Sequence, residues 1–365
     1  MADFLVVGGG IAGASVAYFL SQVGRVMVLD MEDAPGRHAT GRSAALFTEY
    51  YGNVVVRALT RASRSFFLDP PSEFADRALV TPRGTVALCP PGAEDVFDTV
   101  LAAGQDAPEP AWELTRAQAL EYCPVIRPEW FSRAMLKPAT MDIDVDAVHQ
   151  GFLRGVRAGG GRIVLRARVR GLDRRGGRWH ARTDAGEFSA PILVNAAGAW
   201  ADEVADLAGV PRIGLTPLRR TVFLTDPPPG LDVRGWPMVN DVTETFYLKP
   251  ESGRLLVSPA DATLVPPGDA RPDDLDIARG AARVEEATTL RIRNVKPSWA
   301  GLRSFVAGGS PVVGAAPGAD GFFWLAALGG YGMQMSPALG QTAAAVVRGD
   351  RASHMSSVLS QLTPQ

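Results

Sequence analysis

The first 30 residues contain an apolar strand pattern, an apolar helix pattern and a second strand pattern. The run Phe4–Val7 is short and apolar throughout, as in a buried strand, and the residues from Ile11 onward have the composition of a buried helix. Gly24 ends that helix pattern, and a second apolar run closes on Asp30. This succession predicts a βαβ unit at the start of the chain.

The remaining pattern indicates that the chain leaves this first domain and returns to it twice. An amphipathic helix pattern begins near Val145, and strand patterns follow it at 163–165 and 192–200. Another strand pattern at 322–327 precedes a glycine-rich loop and an Ala-rich helix, which we place from about Pro337 to Val347. These segments are typical of an α/β domain whose parts are separated along the chain.

Between these parts, residues 210–295 alternate apolar and polar positions in several short runs. The alternation, broken by proline-rich loops, predicts a mostly antiparallel sheet. We therefore predict an α/β fold with a Rossmann-like domain and a second domain built on this sheet. The predicted bounds are 1–46, 145–209 and 296–365 for the first domain, and 47–144 and 210–295 for the second.

Three glycines stand between the first strand and the first helix. Gly8, Gly10 and Gly13 are spaced so that a pyrophosphate can approach backbone N–H groups at the helix N-terminus. Asp30 follows 22 residues after Gly8, where a carboxylate can accept hydrogen bonds from a ribose hydroxyl, which disfavours NADP. The motif predicts an adenine dinucleotide and leaves NAD and FAD open.

Composition excludes several classes of protein. The net charge is −2, which gives no basic field for nucleic acid. The two cysteines, Cys89 and Cys123, rule out a disulfide framework and favour the reducing cytoplasm. The four histidines lack metal-ligand spacing, so we expect no metal. No apolar run has transmembrane length, and the start of the chain lacks the basic region of a signal peptide.

Five motifs occur in an informative order along the chain. They are Gly8-x-Gly10-x-x-Gly13, Thr40-Gly-Arg42-Ser43-Ala, Val194-Asn-Ala-Ala-Gly198-Ala-Trp200, Trp299-Ala-Gly-Leu-Arg303-Ser and Gly329-Gly-Tyr-Gly332. Together they resemble the D-amino-acid oxidase family of FAD enzymes, and within it the D-arginine dehydrogenases. The resemblance implies an FAD-binding domain and a substrate domain whose sheet lies over the isoalloxazine ring.

The resemblance also implies which residues hold FAD. The C-terminal glycine loop opens the last helix, and its N–H groups would face the flavin pyrimidine, where negative charge develops on reduction. The expected cofactor residues are Gly8, Gly10, Ile11, Ala12, Gly13, Asp30, Thr40, Arg42, Ser43, Ala44, Val169, Ala197, Gly198, Trp200, Arg303, Gly329, Gly330, Tyr331, Gly332, Met333 and Gln334.

Two arginines match family positions that hold a substrate carboxylate. Arg220 lies in a strand pattern and Arg303 in an apolar setting, and a guanidinium fork suits a carboxylate. Tyr51 and Tyr247 match active-site tyrosines, so these four are the expected catalytic residues. Arg219 falls on the opposite face of its strand from Arg220, and we expect it to be solvated.

Two positions depart from the D-arginine dehydrogenases. Leu46 stands where they have a histidine beside the substrate amine, and Thr85 where they have a glutamate for the guanidinium of the substrate. An acid that replaces this glutamate could come from Glu49, Asp241 or Glu244. The expected substrate pocket consists of Leu46, Thr48, Thr85, Met238, Glu244, Gly330 and Tyr331.

These residues predict oxidation of a D-amino acid, with an apolar rather than a cationic side chain, to an imino acid by hydride transfer from Cα to flavin N5. One alternative is oxidation of a secondary amine such as an N-substituted glycine, as in sarcosine and glycine oxidases. Another is a flavin protein that binds an amino acid without turnover. The expected partner is a small amine or amino acid, and the electron acceptor, oxygen or another, stays open, as does the oligomeric state.

The FAD is predicted to be non-covalent. We expect the purified protein to be yellow and to release intact FAD on denaturation, measured in the supernatant after precipitation. Related enzymes can attach flavin through a histidine in the loop that contains His38, so flavin that stays with the precipitate would contradict the prediction. Purification with NAD and no flavin would contradict the resemblance itself.

Overall fold

The computed structural model describes residues 1–295, 297–350 and Thr363. Its strands are β1 (Phe4–Val7), β2 (Val26–Leu29), β3 (Leu46–Phe47), β4 (Val80–Pro82), β5 (Thr85–Cys89), β6 (Trp112–Leu114), β7 (Arg133–Lys137), β8 (Met141–Ile143), β9 (Arg162–Val164), β10 (Val169–Arg175), β11 (Arg178–Thr183), β12 (Gly186–Ala190), β13 (Ile192–Asn195), β14 (Thr216–Thr225), β15 (Met238–Asp241), β16 (Tyr247–Glu251), β17 (Arg254–Ser258), β18 (Thr263–Leu264), β19 (Ser298–Phe305), β20 (Val312–Ala315) and β21 (Phe322–Ala326).

The α-helices are α1 (Ile11–Leu20), α2 (Val54–Leu68), α3 (Glu94–Ala103), α4 (Arg116–Tyr122), α5 (Val145–Ala158), α6 (Ala201–Leu207), α7 (Asp274–Ala287) and α8 (Gly332–Val347). Short 3₁₀ helices span Gly104–Asp106 and Gly198–Trp200. Within the described ranges, no helix combines the length and the apolar character that crossing a bilayer requires.

The first sheet has the strand order β20-β21-β13-β1-β2-β9. All of its pairs are parallel except β20–β21, which is antiparallel. Strand β1 is buried along its whole length because helices α1, α5 and α8 cover one face, while the β10–β12 meander and α6 pack on the other. The predicted Rossmann-like domain is confirmed.

Small residues let the helices of this domain approach closely. A Cβ at Gly155 of α5 would lie 2.3 Å from the ring of Tyr18 on α1, so the ring fills the space that a side chain would occupy. Similarly, a Cβ at Gly340 of α8 would lie 2.7 Å from Cβ of Ser15. The helices therefore pack at a distance that only glycine permits.

The second sheet contains nine strands of the described chain, in the order β18-β14-β17-β16-β15-β5-β7-β6, with β19 also paired to β14. Only the β15–β5 pair is parallel, which confirms the mostly antiparallel prediction. One cross-strand row faces the core under α7 and α4, and it consists of Phe223, Val257, Leu248, Val239, Val86 and Leu136. The residues adjacent to this row along each strand point to the opposite face.

The predicted domain bounds are wrong in two places. Strand β19 was assigned to the nucleotide-binding domain, but all eight of its residues pair with β14 in the large sheet. The segment after residue 46 was assigned to the second domain, but Phe47, Val55, Leu59 and Phe67 belong to the core around α1, α5 and α8. Tertiary packing decides both cases. The order of apolar and polar residues in a segment does not tell which sheet a strand joins or which core a helix enters.

The predicted start of the last helix is also wrong. Helix α8 begins at Gly332, and Pro337 lies inside it. Proline leaves the carbonyl of residue i−4 without its N–H donor, and the Ser336 hydroxyl donates to that carbonyl, on Met333, at 2.9 Å. The N–H of Ala338 donates to the Ser63 hydroxyl of α2 at 3.1 Å. The hydroxyl groups of two serines thus provide hydrogen-bond partners for backbone groups next to the proline.

The turn between β15 and β16 is organised by a buried carboxylate. Oδ1 of Asp241 accepts the N–H groups of Thr245 at 2.7 Å and Phe246 at 3.0 Å, and Oδ2 accepts the hydroxyl of Thr243. The turn places Glu244 at a positive φ of 54°. Asp241 therefore fixes the backbone that leads into Tyr247.

We expect Asp241→Ala to lower the free energy of unfolding by about 2–4 kcal/mol, because one buried and one half-buried N–H donor lose their acceptor. Asp241→Asn keeps one acceptor oxygen and should cost less. Denaturant unfolding of the flavin-loaded protein measures both, with Asp232→Ala, at an exposed ion pair with Arg234, as the control. An Asp241→Ala midpoint equal to that of the unsubstituted protein would contradict this role.

Candidate active site

A cavity of about 470 Å³ lies between the carboxyl ends of the parallel strands and one face of the large sheet. The glycine turn after β1 and the end of β2 form one end of it. The other end, which we name the substrate end, is lined by Thr85, Lys137, Arg220, Met238, Glu244, Tyr247 and Arg303. One elongated cavity therefore connects the predicted dinucleotide site with the predicted substrate site.

The glycine turn has a geometry that side chains would block. Gly8 has φ 104°, and a Cβ there would lie 2.4 Å from the carbonyl oxygen of Ala196. A Cβ at Gly13 would lie 1.8 Å from the carbonyl oxygen of Gly8, so α1 packs directly on the turn. The N–H groups of Ala12 and Gly13 have no acceptor among the described residues. Ala12 lines the cavity, so its N–H is free to bind a pyrophosphate, whereas Gly13 lies behind the turn.

Asp30 lies at the end of β2 and is buried. Its Oδ2 accepts the N–H of Gly9 at 2.8 Å, and its Oδ1 accepts the N–H of Glu32 at 2.9 Å. Burial raises the pKa of the Asp30 carboxyl, although these two hydrogen bonds favour the charged form. The carboxylate holds the glycine turn, and each oxygen keeps a lone pair for a ribose hydroxyl.

The loop after β2 connects the two domains. The Thr40 hydroxyl accepts the N–H of Ile11 at 2.9 Å and so caps the start of α1. Arg42 donates to the carbonyl oxygens of Ala270 at 2.8 Å and Ala300 at 3.0 Å, and it forms an ion pair with Asp269. Arg42 lines the cavity, but most of its donors serve the contact with the second domain.

The start of α8 forms the cavity wall near the centre. Oε1 of Gln334 accepts the N–H of Thr48 at 3.2 Å, while its Nε2 is buried and has no partner among the described residues. A buried amide donor without a partner is costly in a protein interior. A flavin carbonyl against Gln334 would satisfy it.

Arg303 is the central cation of the substrate end. Its Nη2 donates to the Tyr51 hydroxyl at 3.1 Å, and its guanidinium lies 5.5–5.9 Å from the rings of Tyr51, Phe305 and Tyr331. Burial lowers the pKa of Arg303, but the surrounding tyrosine hydroxyls outweigh this and raise it above its ordinary value. Arg303 thus carries a fixed positive charge in a largely apolar surrounding.

Arg220 lies on the same face of the sheet as Arg303. Strands β14 and β19 pair Arg220 with Gly301 and Leu218 with Arg303, so the two arginines are diagonal neighbours. The Nε of Arg220 donates to the carbonyl oxygen of Asp261 at 2.7 Å. Its remaining donors are available to a ligand in the cavity.

Arg219 points to the opposite face, as the strand period requires, but the expectation that it is solvated is wrong. Its side chain is 16% exposed and its Nη2 lies 2.7 Å from Oδ2 of Asp276. Asp261 and Asp273 are each 3.7 Å away. Arg219 therefore belongs to a structural ion-pair cluster with these three acids. The spacing of residues in the sequence does not reveal this cluster.

The structure separates the three candidate acids. Both carboxylate oxygens of Asp241 accept hydrogen bonds from its own turn. Glu49 is fully buried beside Arg64 and does not line the cavity. Glu244 lines the cavity, and its Oε2 accepts the Tyr51 hydroxyl at 3.1 Å. Leu46 and Thr85 both line the cavity as uncharged residues.

Nearly all expected site residues line this cavity, and Gly13 and Tyr331 are the two that do not. Gly13 supports the turn behind it, and Tyr331 packs on Tyr51 with ring centroids 5.0 Å apart. Sequence reasoning missed Lys137 and Asn240, which also line it. The strand alternation of β7 and β15 would have placed both on the face of Thr85, had the pairing been known.

Comparison with known proteins agrees with this geometry. The model of the family described as "DAO: FAD dependent oxidoreductase" matches residues 3–346. The chain belongs to this family. This chain is 26% identical over 383 residues to the uncharacterized oxidoreductase YurR of Bacillus subtilis (strain 168). The match covers 96% of this chain and 95% of YurR.

Two solved structures share the DAO fold at low sequence identity. Glycine oxidase from Geobacillus kaustophilus has a TM-score of 0.85 at 22% identity, covering 100% of this chain and 99% of that one. Iminodiacetate oxidase from Chelativorans sp. BNC1 has a TM-score of 0.82 at 22% identity, covering 99% and 98%. The D-amino-acid oxidase resemblance and FAD as the cofactor are confirmed, whereas a specific relation to D-arginine dehydrogenases is not shown.

The geometry fits FAD in this DAO chain. The free N–H groups at the start of α1 would hold its pyrophosphate, Asp30 its ribose, and Gln334 a carbonyl of its flavin. Non-covalent attachment stays a prediction. His38 lines the cavity, and its Nε2 lies 2.9 Å from Oε1 of Glu32.

Gly330 lies against the guanidinium of Arg303, because a Cβ there would be 2.1 Å from Nε and 2.2 Å from Nη2. We expect Gly330→Ala to displace Arg303 and to raise KM for a carboxylate substrate about tenfold or more, with the FAD content unchanged. Steady-state kinetics measures KM, and flavin absorbance measures the FAD content. Gly235→Ala, where nothing lies within 4 Å of the new Cβ, is the control. An unchanged KM would show that Arg303 does not position the substrate.

Proposed function

We propose that this protein oxidises the carbon–nitrogen bond of an amino acid or an N-substituted glycine whose carboxylate is held by Arg220 and Arg303. The observation that carries the proposal is the placement of these two arginines. They are neighbours on one face of the sheet, they have no carboxylate partner among the described residues, and they face the cavity that fits FAD. Guanidinium groups in such a setting bind a carboxylate with little competition from water.

The surrounding residues orient the substrate. Tyr51 is held between Arg303 and Glu244, so its ring is fixed at the wall of the cavity. Tyr247 lies on the same face of the sheet, opposite Asn240 of β15. When bound, FAD supplies the two-electron acceptor. The substrate would lose hydrogen from its carbon and nitrogen, and water would hydrolyse the resulting imine to an oxo acid and an amine or ammonia.

The two candidate substrate classes differ in what supports them. A D-amino acid is favoured by the carboxylate clamp and the sequence motifs, and Leu46 and Thr85 offer no charge for a cationic side chain. A secondary amine is favoured by the fold neighbours, which are named glycine oxidase and iminodiacetate oxidase.

Anaerobic mixing with the flavin-loaded protein tests the proposal. Apolar D-amino acids and N-alkyl glycines are added in parallel with D-arginine and D-lysine, and flavin bleaching is followed at about 450 nm. We expect one of the first two series to bleach the flavin with a rate constant at least about tenfold above that of the cationic amino acids. Bleaching by no amino acid and no N-substituted glycine, acidic ones included, would contradict the proposed oxidation, and a preference for D-arginine would contradict the expected discrimination against cationic side chains.

Replacing either clamp arginine tests the carboxylate site. We expect Arg220→Met and Arg303→Met each to lower kcat/KM by an amount equivalent to about 2–5 kcal/mol, because the substrate carboxylate loses a desolvated partner. Arg234→Met is the matched control, since the Arg234 side chain is 79% exposed. Flavin absorbance of each variant shows whether FAD is retained. Near-normal kcat/KM in both clamp variants would remove the proposed roles.

A further inference from the structure

Lys137 is a cation in the substrate end with no hydrogen-bond or ion-pair partner among the described residues. The chain has only three lysines. Lys249, which also lines the cavity, differs sharply, because its Nζ lies 2.9 Å from Asp142 and 2.7 Å from Glu251. The charge of Lys249 is therefore neutralised by carboxylates of the protein. The charge of Lys137 is available to a ligand in the cavity.

The strand register places Lys137 beside the expected specificity position. Lys137 of β7 pairs directly with Thr85 of β5, and Thr85 pairs with Met238 of β15. Directly paired residues share one face of a sheet, so all three side chains point to the cavity. At the position where a cation-selecting pocket needs an acid, this chain thus has a neutral residue flanked by a lysine.

Two hydrogen bonds connect Arg303 to Glu244, and the charge of Glu244 acts on Lys137. Arg303 donates to the Tyr51 hydroxyl, and this hydroxyl donates to Glu244. Glu244 is in turn the carboxylate whose charge acts on Lys137. No carboxylate oxygen of the described residues lies within 4.0 Å of Nζ of Lys137, so Glu244 stabilises it from a distance and does not form an ion pair with it.

The charges of the substrate end are unbalanced. Arg220, Arg303 and Lys137 are cations, and Glu244 is the carboxylate among the residues that line this end. The α-carboxylate of an amino acid would neutralise one more positive charge. One positive charge of this end then remains without a counter-charge, and a half-buried charge is costly without a partner.

We propose that Lys137 binds a second carboxylate of the substrate, so that the protein acts on an amine with two acidic groups. This inference rests on the proposed function for the first carboxylate, which the clamp arginines hold. The second carboxylate is carried by the side chain of a D-amino acid or by the nitrogen substituent of a glycine. Acidic substrates then rank above neutral ones, and neutral ones above cationic ones, which refines the apolar preference expected from the sequence.

Ligand binding tests the role of Lys137 without turnover. Glutarate and its monoamide have the same shape and differ by one charge, and each is titrated into the oxidised flavin-loaded protein while flavin absorbance is recorded. We expect glutarate to bind at least about tenfold more tightly than the monoamide. The difference should vanish in Lys137→Met and persist in Lys137→Arg, and flavin absorbance shows whether each variant retains FAD. Equal affinities in the unsubstituted protein, or a preference that survives in Lys137→Met, would overturn the proposal.

Anaerobic flavin reduction provides the second measurement. D-Glutamate is compared with D-glutamine, and iminodiacetate with its monoamide, so that each pair again differs by one charge. In the pair that reduces the flavin, we expect the acid to exceed the amide at least about tenfold in the rate constant at low concentration, and Lys137→Met to abolish this preference. If no amine reduces the flavin, the proposed function fails, and the glutarate titration still decides the role of Lys137.

The pH dependence separates a charged Lys137 from a merely structural one. Burial lowers the pKa of Lys137 to about 8, and Glu244 offsets part of this shift. The ammonium is therefore present below this pH in the free protein and is lost above it. The glutarate preference should fall as the pH rises through about 8 in the unsubstituted protein and stay constant in Lys137→Arg. A preference that is independent of pH up to about 10 in the unsubstituted protein would contradict binding by the ammonium.

Discussion

The two-residue period of the large sheet is the constraint on which the site depends. One row of side chains, from Phe223 through Val239 to Leu136, faces the core under α7 and α4. Positions an odd number of residues from this row along each strand must then face the cavity, and Arg220, Tyr247 and Lys137 occupy such positions. A shift of one residue in any of these pairings would bury the charges and expose the core. Burial of the apolar row therefore places the functional side chains.

The two domains contribute different chemistry to one cavity. The parallel sheet offers backbone N–H groups at the start of α1, which suit phosphate oxygens, and the start of α8 lies on the cavity wall, where a flavin would bind. The large sheet offers side-chain cations at fixed spacing. Helix α8 begins at Gly332, which places Gln334 on the cavity wall, and it continues through Pro337 with two serine hydroxyls as hydrogen-bond partners.

The charges of the site differ in how completely the protein satisfies them. Arg219, Lys249 and Asp241 have partners in the protein and serve the structure. Arg220 and Lys137 keep donors that face the cavity. A buried or half-buried charge that keeps free donors raises the free energy of the unliganded protein, and a ligand of opposite charge recovers that energy. Partner distances thus distinguish charges that the protein itself neutralises from charges of the same residue type that face the cavity without a partner.

The sequence by itself determined the βαβ unit, the mostly antiparallel sheet and the glycine positions, because these follow from local periodicity and from backbone conformations that only glycine adopts. Motif resemblance singled out Arg220, Arg303 and the glycine loops, which line the cavity. Tertiary structure alone decided that β19 joins the large sheet, that Arg219 lies among three acids, and that Lys137 stands beside Thr85. These facts depend on contacts between residues that are 42 to 89 positions apart along the chain, and no local pattern encodes which segment becomes the neighbour of another.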